Sequence, residues 1–271
     1  MKRFAIILMA LALGLSVSAQ RGRYSKGRKP VRTTQRVTPR PATTIKTCPD
    51  DNHPHAIDLG LPSGTKWACC NVGASKPTAY GNYYAWGETE PKAKYNEDTY
   101  KWYKKGKWIE DEDYDEGGYY EYKYTKYCTD PEYGYNGFTD GKEELDLEDD
   151  AARANWGGEW RMPNEEDFNE LLEYTTHRWV KNYNGTGVKG YLFTGKNGKR
   201  IFLPAAGSRD GTLLDTAGSD SDYWYGDYWY KDDTGSPLAA RSYRFGADST
   251  FNYYDNYFYR FYGQSVRPVC P

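Results

Sequence analysis

Apolar positions follow two rhythms along this chain and lose rhythm between them. The helical rhythm is plainest just past the middle. Phe168, Leu171, Leu172 and Thr175 fall at i, i+3, i+4 and i+7, the stripe of a helix packed on one face. Asn164 predicts the N-cap, and Asp167 stands three residues on, where an acid bonds back to the cap and favours the helix dipole. The preceding Trp156-Gly157-Gly158-Glu159-Trp160-Arg161-Met162-Pro163 is aromatic and stiff. Trp156, Trp160, Met162 and Phe168 are predicted core, and Arg161 is predicted to pair with an acid. Leu145–Asn155 predicts an earlier helix, with Asp146 as cap and Glu148, Asp149 and Asp150 in its first turn.

The strand rhythm appears at both ends. Residues 55–73 predict two short strands around a Pro62-Ser63-Gly64 turn. Gly190–Gly195 and Lys199–Pro204 flank Asn197-Gly198, a tight-hairpin turn. Residues 223–262 predict an antiparallel meander, and Gly263–Cys270 a closing strand that returns to the first. Residues 88–144 carry no period; they predict an irregular loop whose aromatics lie over the domain. The order defines an α+β class: two helices, small twisted antiparallel sheets and long irregular loops.

Charge and composition divide the chain into three. Lys2 and Arg3, an apolar run from Phe4 to Leu15, and Val17-Ser18-Ala19 read as a signal peptide over residues 1–19. The expected location is therefore outside the cytoplasm: extracellular, at the cell surface or periplasmic. No later apolar run is long enough to span a bilayer. Residues 20–52 form a Pro/Thr-rich tether; its first part, 20–47, carries nine Lys/Arg and no acid, a composition that cannot bury a core. The remaining 25 Lys/Arg face all 38 acids, so the domain beyond carries a net charge near −13. Such acidity excludes a nucleic-acid-binding domain.

The candidate chemistry is sparse. His53, His55 and His177 are the only histidines, and neither a Cys-x-x-Cys nor a Gly-x-Ser-x-Gly occurs, so no catalytic constellation, metal site or cofactor is predicted. Asp111, Asp113, Asp115 and Glu116 alternate like calcium ligands, but Gly117 and Gly118 come too late for the sharp turn of such a loop; a solvated acidic loop is the expectation. Five cysteines (Cys48, Cys69, Cys70, Cys128, Cys270) leave at least one thiol unpaired or intermolecular. If the first and last strands are neighbours, Cys270 lies near Cys48, Cys69 or Cys70, and a bridge there would contribute about 4–5 kcal/mol through chain entropy.

Five blocks in order, His55–Ser75, Tyr80–Lys92, Glu148–Leu172, Ile201–Gly207 and Ser265–Cys270, resemble the Fibrobacter succinogenes major paralogous domain over residues 53–271. More distantly, Trp160–Phe168 and the closing Ser265–Val269 resemble formylglycine-generating, sulfatase-modifying enzymes. Both resemblances imply a C-type-lectin-like fold, in which the terminal strands pair and long loops form one surface. The enzymatic activity does not carry over: it rests on a Cys pair in the C-terminal half, and only Cys270 follows Cys128. The Glu-Pro-Asn or Gln-Pro-Asp motif of calcium-dependent sugar binding is also absent.

A non-catalytic binding module for a surface protein or glycan is therefore predicted. Residues 223–262 hold ten Tyr with Asp, Asn, Ser and Gly between them, the chemistry of antibody paratopes. Variable proteins of retroelement-driven diversification, which share the implied fold, are similar in placing such residues at this C-terminal location. The candidate ligand-binding residues are Tyr223, Tyr225, Asp227, Tyr228, Tyr230, Asn252, Tyr253, Tyr254, Asp255, Asn256, Tyr257 and Tyr259. The alternative is a structural surface or matrix component without a specific ligand.

Overall fold

The first hairpin forms where the turn residues place it. β1 (Ala56–Asp58) and β2 (Lys66–Ala68) pair antiparallel, with Ile57 opposite Trp67. Gly64 takes φ +82 in the connecting turn, a conformation that costs other residues a clash at Cβ. The computed structural model describes residues 55–215, 217–218, 221–224, 238–245 and 253–271, and for 221–224 and 253–257 the backbone path alone. The chain divides between Ala42 and Thr43, and every described residue belongs to the second unit. The predicted signal peptide 1–19 and tether 20–52 lie outside the described residues.

The chain continues through β3 (Tyr83–Tyr84), β4 (Tyr103–Glu110), β5 (Gly118–Tyr124), α1 (Ala151–Trp156) and α2 (Glu165–Tyr174). Then come β6 (Thr175–Val180), β7 (Gly190–Gly195), β8 (Arg200–Pro204), β9 (Ser208–Asp210) and β10 (Leu213–Asp215). β11 (Ser221–Trp224), β12 (Ala239–Phe245), β13 (Tyr253–Tyr259), β14 (Gly263–Ser265) and β15 (Val269–Cys270) complete it. The strands make four small sheets: β1-β2-β15, β4-β5, β6-β7-β8, and a seven-stranded sheet in the order β10-β9-β14-β11-β12-β13, with β3 joined to β14. Two helices among small, mostly antiparallel sheets make this an α+β protein.

The α2 cap forms as its residues predict. The Asn164 side chain accepts from the Asp167 N–H at 3.0 Å, and the Asp167 carboxylate accepts from the Asn164 N–H at 2.9 Å. Arg161 donates both terminal nitrogens to the same carboxylate, at 2.5 and 3.0 Å. The helix stops after Tyr174 because Thr175 turns extended, its hydroxyl donating to the Leu171 carbonyl at 2.7 Å.

The buried face of α2 sets the core. Phe168 and Leu171 are fully buried with Trp67, Phe193, Leu203, Phe245 and Val269. The Trp67 and Tyr243 rings stand 5.1 and 4.5 Å from the Phe168 ring. A second cluster joins Trp86, Tyr127, Trp156 and Met162, and Trp160 packs edge-on against Trp156 at 5.0 Å. Two arginines are also fully buried. Arg267 donates to Asn71 Oδ1 and to the carbonyls of Ala68 and Phe202, at 2.8–3.0 Å. It thus ties the C-terminal segment to the first hairpin and to β8.

Several expectations need correction. Residues 103–110 and 118–124 are not irregular chain but the two strands of a long hairpin, and Tyr95, Tyr100, Tyr124 and Tyr127 are core rather than a covering layer. The pairing was hidden because Lys and Tyr occupy both faces and because a bulge between Lys105 and Trp108 breaks the period. α1 is half its predicted length and is capped by Asp150, not Asp146. The Asp150 carboxylate accepts from the N–H groups of Arg153 and Met162, at 2.9 and 2.8 Å. Asp146 turns instead toward Lys126 and Lys142. β6 follows α2 without a loop and was not predicted.

The closing strand does return to the opening hairpin, but onto β2 rather than β1. Its register sets Cys270 opposite Lys66, three residues from Cys69, and the Cys270 thiol is free. The anticipated terminal bridge is therefore not part of this fold; Cys48 lies outside the described residues.

Candidate functional site

The candidate surface is assembled on β12. Both of its faces are buried: Phe245 packs against Tyr191 and Phe193 at 5.4 and 5.7 Å on one, and Ala240 and Ser242 are fully buried on the other. Two polar contacts fix it on α2. The Tyr243 hydroxyl donates to Asn169 Oδ1 at 2.5 Å, and Arg241 pairs with Glu165 at 2.7 Å.

β13 pairs with β12 along its whole length, Tyr259 opposite Ala239 through to Tyr253 opposite Phe245. Among the described residues it is the terminal strand of the seven-stranded sheet. Six candidates share it: Tyr253, Tyr254, Asp255, Asn256, Tyr257 and Tyr259. Tyr223 lies two strands away on β11, opposite Tyr243 on one side and Ser265 on the other. The structure thus brings seven of the twelve candidates into one meander. Tyr225, Asp227, Tyr228, Tyr230 and Asn252 lie outside the described residues. Tyr259 is 48% exposed and stacks on Phe261 at 5.2 Å, with Tyr262 edge-on beside it. Burial pushes the Tyr262 hydroxyl up to about 12, with nearby Asp210 adding to the shift. Tyr262 stays neutral at physiological pH and presents a hydrogen-bonding hydroxyl rather than a charge.

One carboxylate cluster has the spacing of a cation site. Oxygens of Asp146, Glu148 and Asp149 lie within 4.8 Å of one another. Its centre is taken by the chain's own ammonium: Lys126 Nζ stands 2.6, 3.4 and 2.5 Å from the three carboxylates. Lys101 pairs with Asp149 as well, and the Tyr127 hydroxyl donates to it at 2.8 Å. Tyr127 is held at φ +57, unusual for a residue with a side chain, by its buried ring and by its own N–H and hydroxyl, which donate to Asp140 and Asp149.

Burial alone would raise the Asp149 carboxyl, but hydrogen bonds from Lys126, Tyr127 and Lys101 overcome it and hold the group below its ordinary range. A depressed carboxyl stabilises the fold above its unfolded pKa and loses that contribution as pH falls through the folded value. Asp149→Asn is therefore expected to cost about 2 kcal/mol at neutral pH. In thermal melts, the gap to the unsubstituted protein should close below a pH of about 4.

The acidic stretch 111–116 is the turn joining β4 to β5, with Asp113, Asp115 and Glu116 exposed. Reading the sequence for sites missed the aromatics beside it, Trp108, Tyr114, Tyr119 and Tyr120, each at least 39% exposed. The available signal was Trp108-Ile109 facing Tyr119-Tyr120 across a Gly-ended acidic turn. Among the described residues no helix is long and apolar enough to cross a membrane. No family model, curated protein or solved structure matches the chain.

Proposed function

We propose that this protein is an exported, non-catalytic binding module that recognises a surface protein or glycan through the aromatic edge of its C-terminal meander. The observation that carries this reading is the position of β13. Among the described residues, six Tyr, Asp and Asn candidates lie on the terminal strand of the largest sheet, next to a strand fastened to the core. An edge strand offers unpaired backbone groups as well as side chains, and a partner can use both. Tyr supplies large amphipathic contacts at low entropic cost.

The return of β15 to β2 supports a C-type-lectin-like arrangement and, with it, the resemblance to the Fibrobacter succinogenes major paralogous domain. The alternative, a structural coat linked through an odd cysteine, gains little from Cys270: its thiol is half-buried, and burial pushes its pKa up, which lowers the reactive thiolate fraction. The test is an array of glycans and bacterial surface proteins probed with the whole chain, and again after Tyr253, Tyr254 and Tyr257 are replaced by Ala.

A further inference from the structure

A second recognition surface lies at the far end of the β4–β5 hairpin. A groove of about 570 Å³ opens there between the hairpin and the turn at Glu97–Thr99. Trp108 and Tyr120 face each other across the strands with centroids 4.9 Å apart and planes at 71°. Gly118 makes this possible: a Cβ there would sit 2.9 Å from the Trp108 ring and collide with the Ile109 carbonyl. Tyr114 and Tyr119 pair beside it at 4.8 Å.

The polar lining is one-sided. Among the described residues, Glu97, Asp98, Asp115 and Glu116 line the groove, with Lys105 as the one cation. That lysine shows how the groove treats a positive group. Its ammonium lies 3.8 Å from the Tyr120 ring centre and 3.2 Å from the Asp98 carboxylate, and the Tyr122 hydroxyl donates to the same carboxylate at 2.5 Å. Ring faces and carboxylates both attract cations.

We propose that this groove is a docking surface for an extended Lys/Arg-bearing segment of another polypeptide. Charge complementarity selects the occupant: four carboxylates and a cluster of ring faces, of which Lys105 engages one carboxylate and the Tyr120 and Tyr122 rings. The steep angle between Trp108 and Tyr120 builds a corner that fits a guanidinium or ammonium, not the flat platform on which a neutral sugar ring stacks. This surface is distinct from β13, and the proposal does not rest on the function assigned to that strand.

The test is titration of the full chain with deca-arginine and, separately, with cellohexaose, followed by Trp fluorescence and calorimetry. Deca-arginine should bind, and should bind more weakly as salt rises from about 0.05 to about 0.5 M and the Debye length shortens. Trp108→Ala should weaken binding about threefold. Glu97→Gln with Glu116→Gln should weaken it about fivefold. The Glu97/Glu116 variant should keep the thermal midpoint; Trp108→Ala also removes the ring packed on Tyr120, so its affinity is read below its own thermal midpoint, where it is folded. The matched pair Glu143→Gln with Glu144→Gln, exposed and outside the groove, should leave the affinity unchanged. Equal weakening by the two Gln pairs would overturn the proposal by showing bulk charge attraction. So would no binding of deca-arginine, or binding of cellohexaose that Trp108→Ala abolishes.

Discussion

Replacing Arg267 with Met is expected to lower the free energy of unfolding by about 3 kcal/mol. Met roughly preserves the volume, so the effect isolates the hydrogen bonds. Arg267 is fully buried and serves Asn71 Oδ1 and the carbonyls of Ala68 and Phe202. Loss of the guanidinium leaves three acceptors without that donor, each worth about 1–3 kcal/mol when left unsatisfied. Removing a buried charge returns part of this, which keeps the net below the sum. Lys cannot rescue it: a single ammonium cannot span three acceptors set by a planar fork. Urea unfolding would measure the loss, and a change under about 1 kcal/mol would show that the C-terminal segment is held by other contacts.

Phe168→Ala is expected to cost about 3–5 kcal/mol, the range for emptying a buried aromatic site. Phe168 contacts Trp67 of the first hairpin and Tyr243 and Phe245 of β12, so three parts of the fold lose packing at once. Phe168→Leu, which keeps most of the volume, should cost under about 1.5 kcal/mol. Because β12 carries the edge strand, Phe168→Ala should also loosen β13; faster hydrogen exchange of residues 253–259 in this variant would register it. A destabilisation near that of Phe168→Leu would mean that the site collapses to fill the void.

The parts that the sequence made legible are those where local chemistry and tertiary structure agree. Asn164 and Asp167 form the expected reciprocal cap, the Asn197-Gly198 turn closes the β7–β8 hairpin, and the Pro62-Ser63-Gly64 turn closes β1–β2. Local signals failed where a distant partner decides. Asp146 is a plausible cap by itself, but Lys126 and Lys142 draw it away, and Asp150 caps α1 because Met162 also donates to it. The β4–β5 pairing depends on cross-strand rings such as Trp108 and Tyr120, whose meeting no single strand announces. The burial of Arg267 has no local signal; it follows from three acceptors on Asn71, Ala68 and Phe202. For the candidate site, composition picked out the residues, while the edge position of β13 required the sheet order.

The central claim is recognition through β13, and one comparison tests it most directly. A ligand captured on the glycan and surface-protein array is titrated against the unsubstituted chain and against the Tyr253→Ala, Tyr254→Ala, Tyr257→Ala variant, with thermal melts confirming that both are folded. The account predicts that the folded variant loses at least about a hundredfold in affinity, the scale of two or more hot-spot tyrosines. Binding unchanged in the folded variant would contradict it.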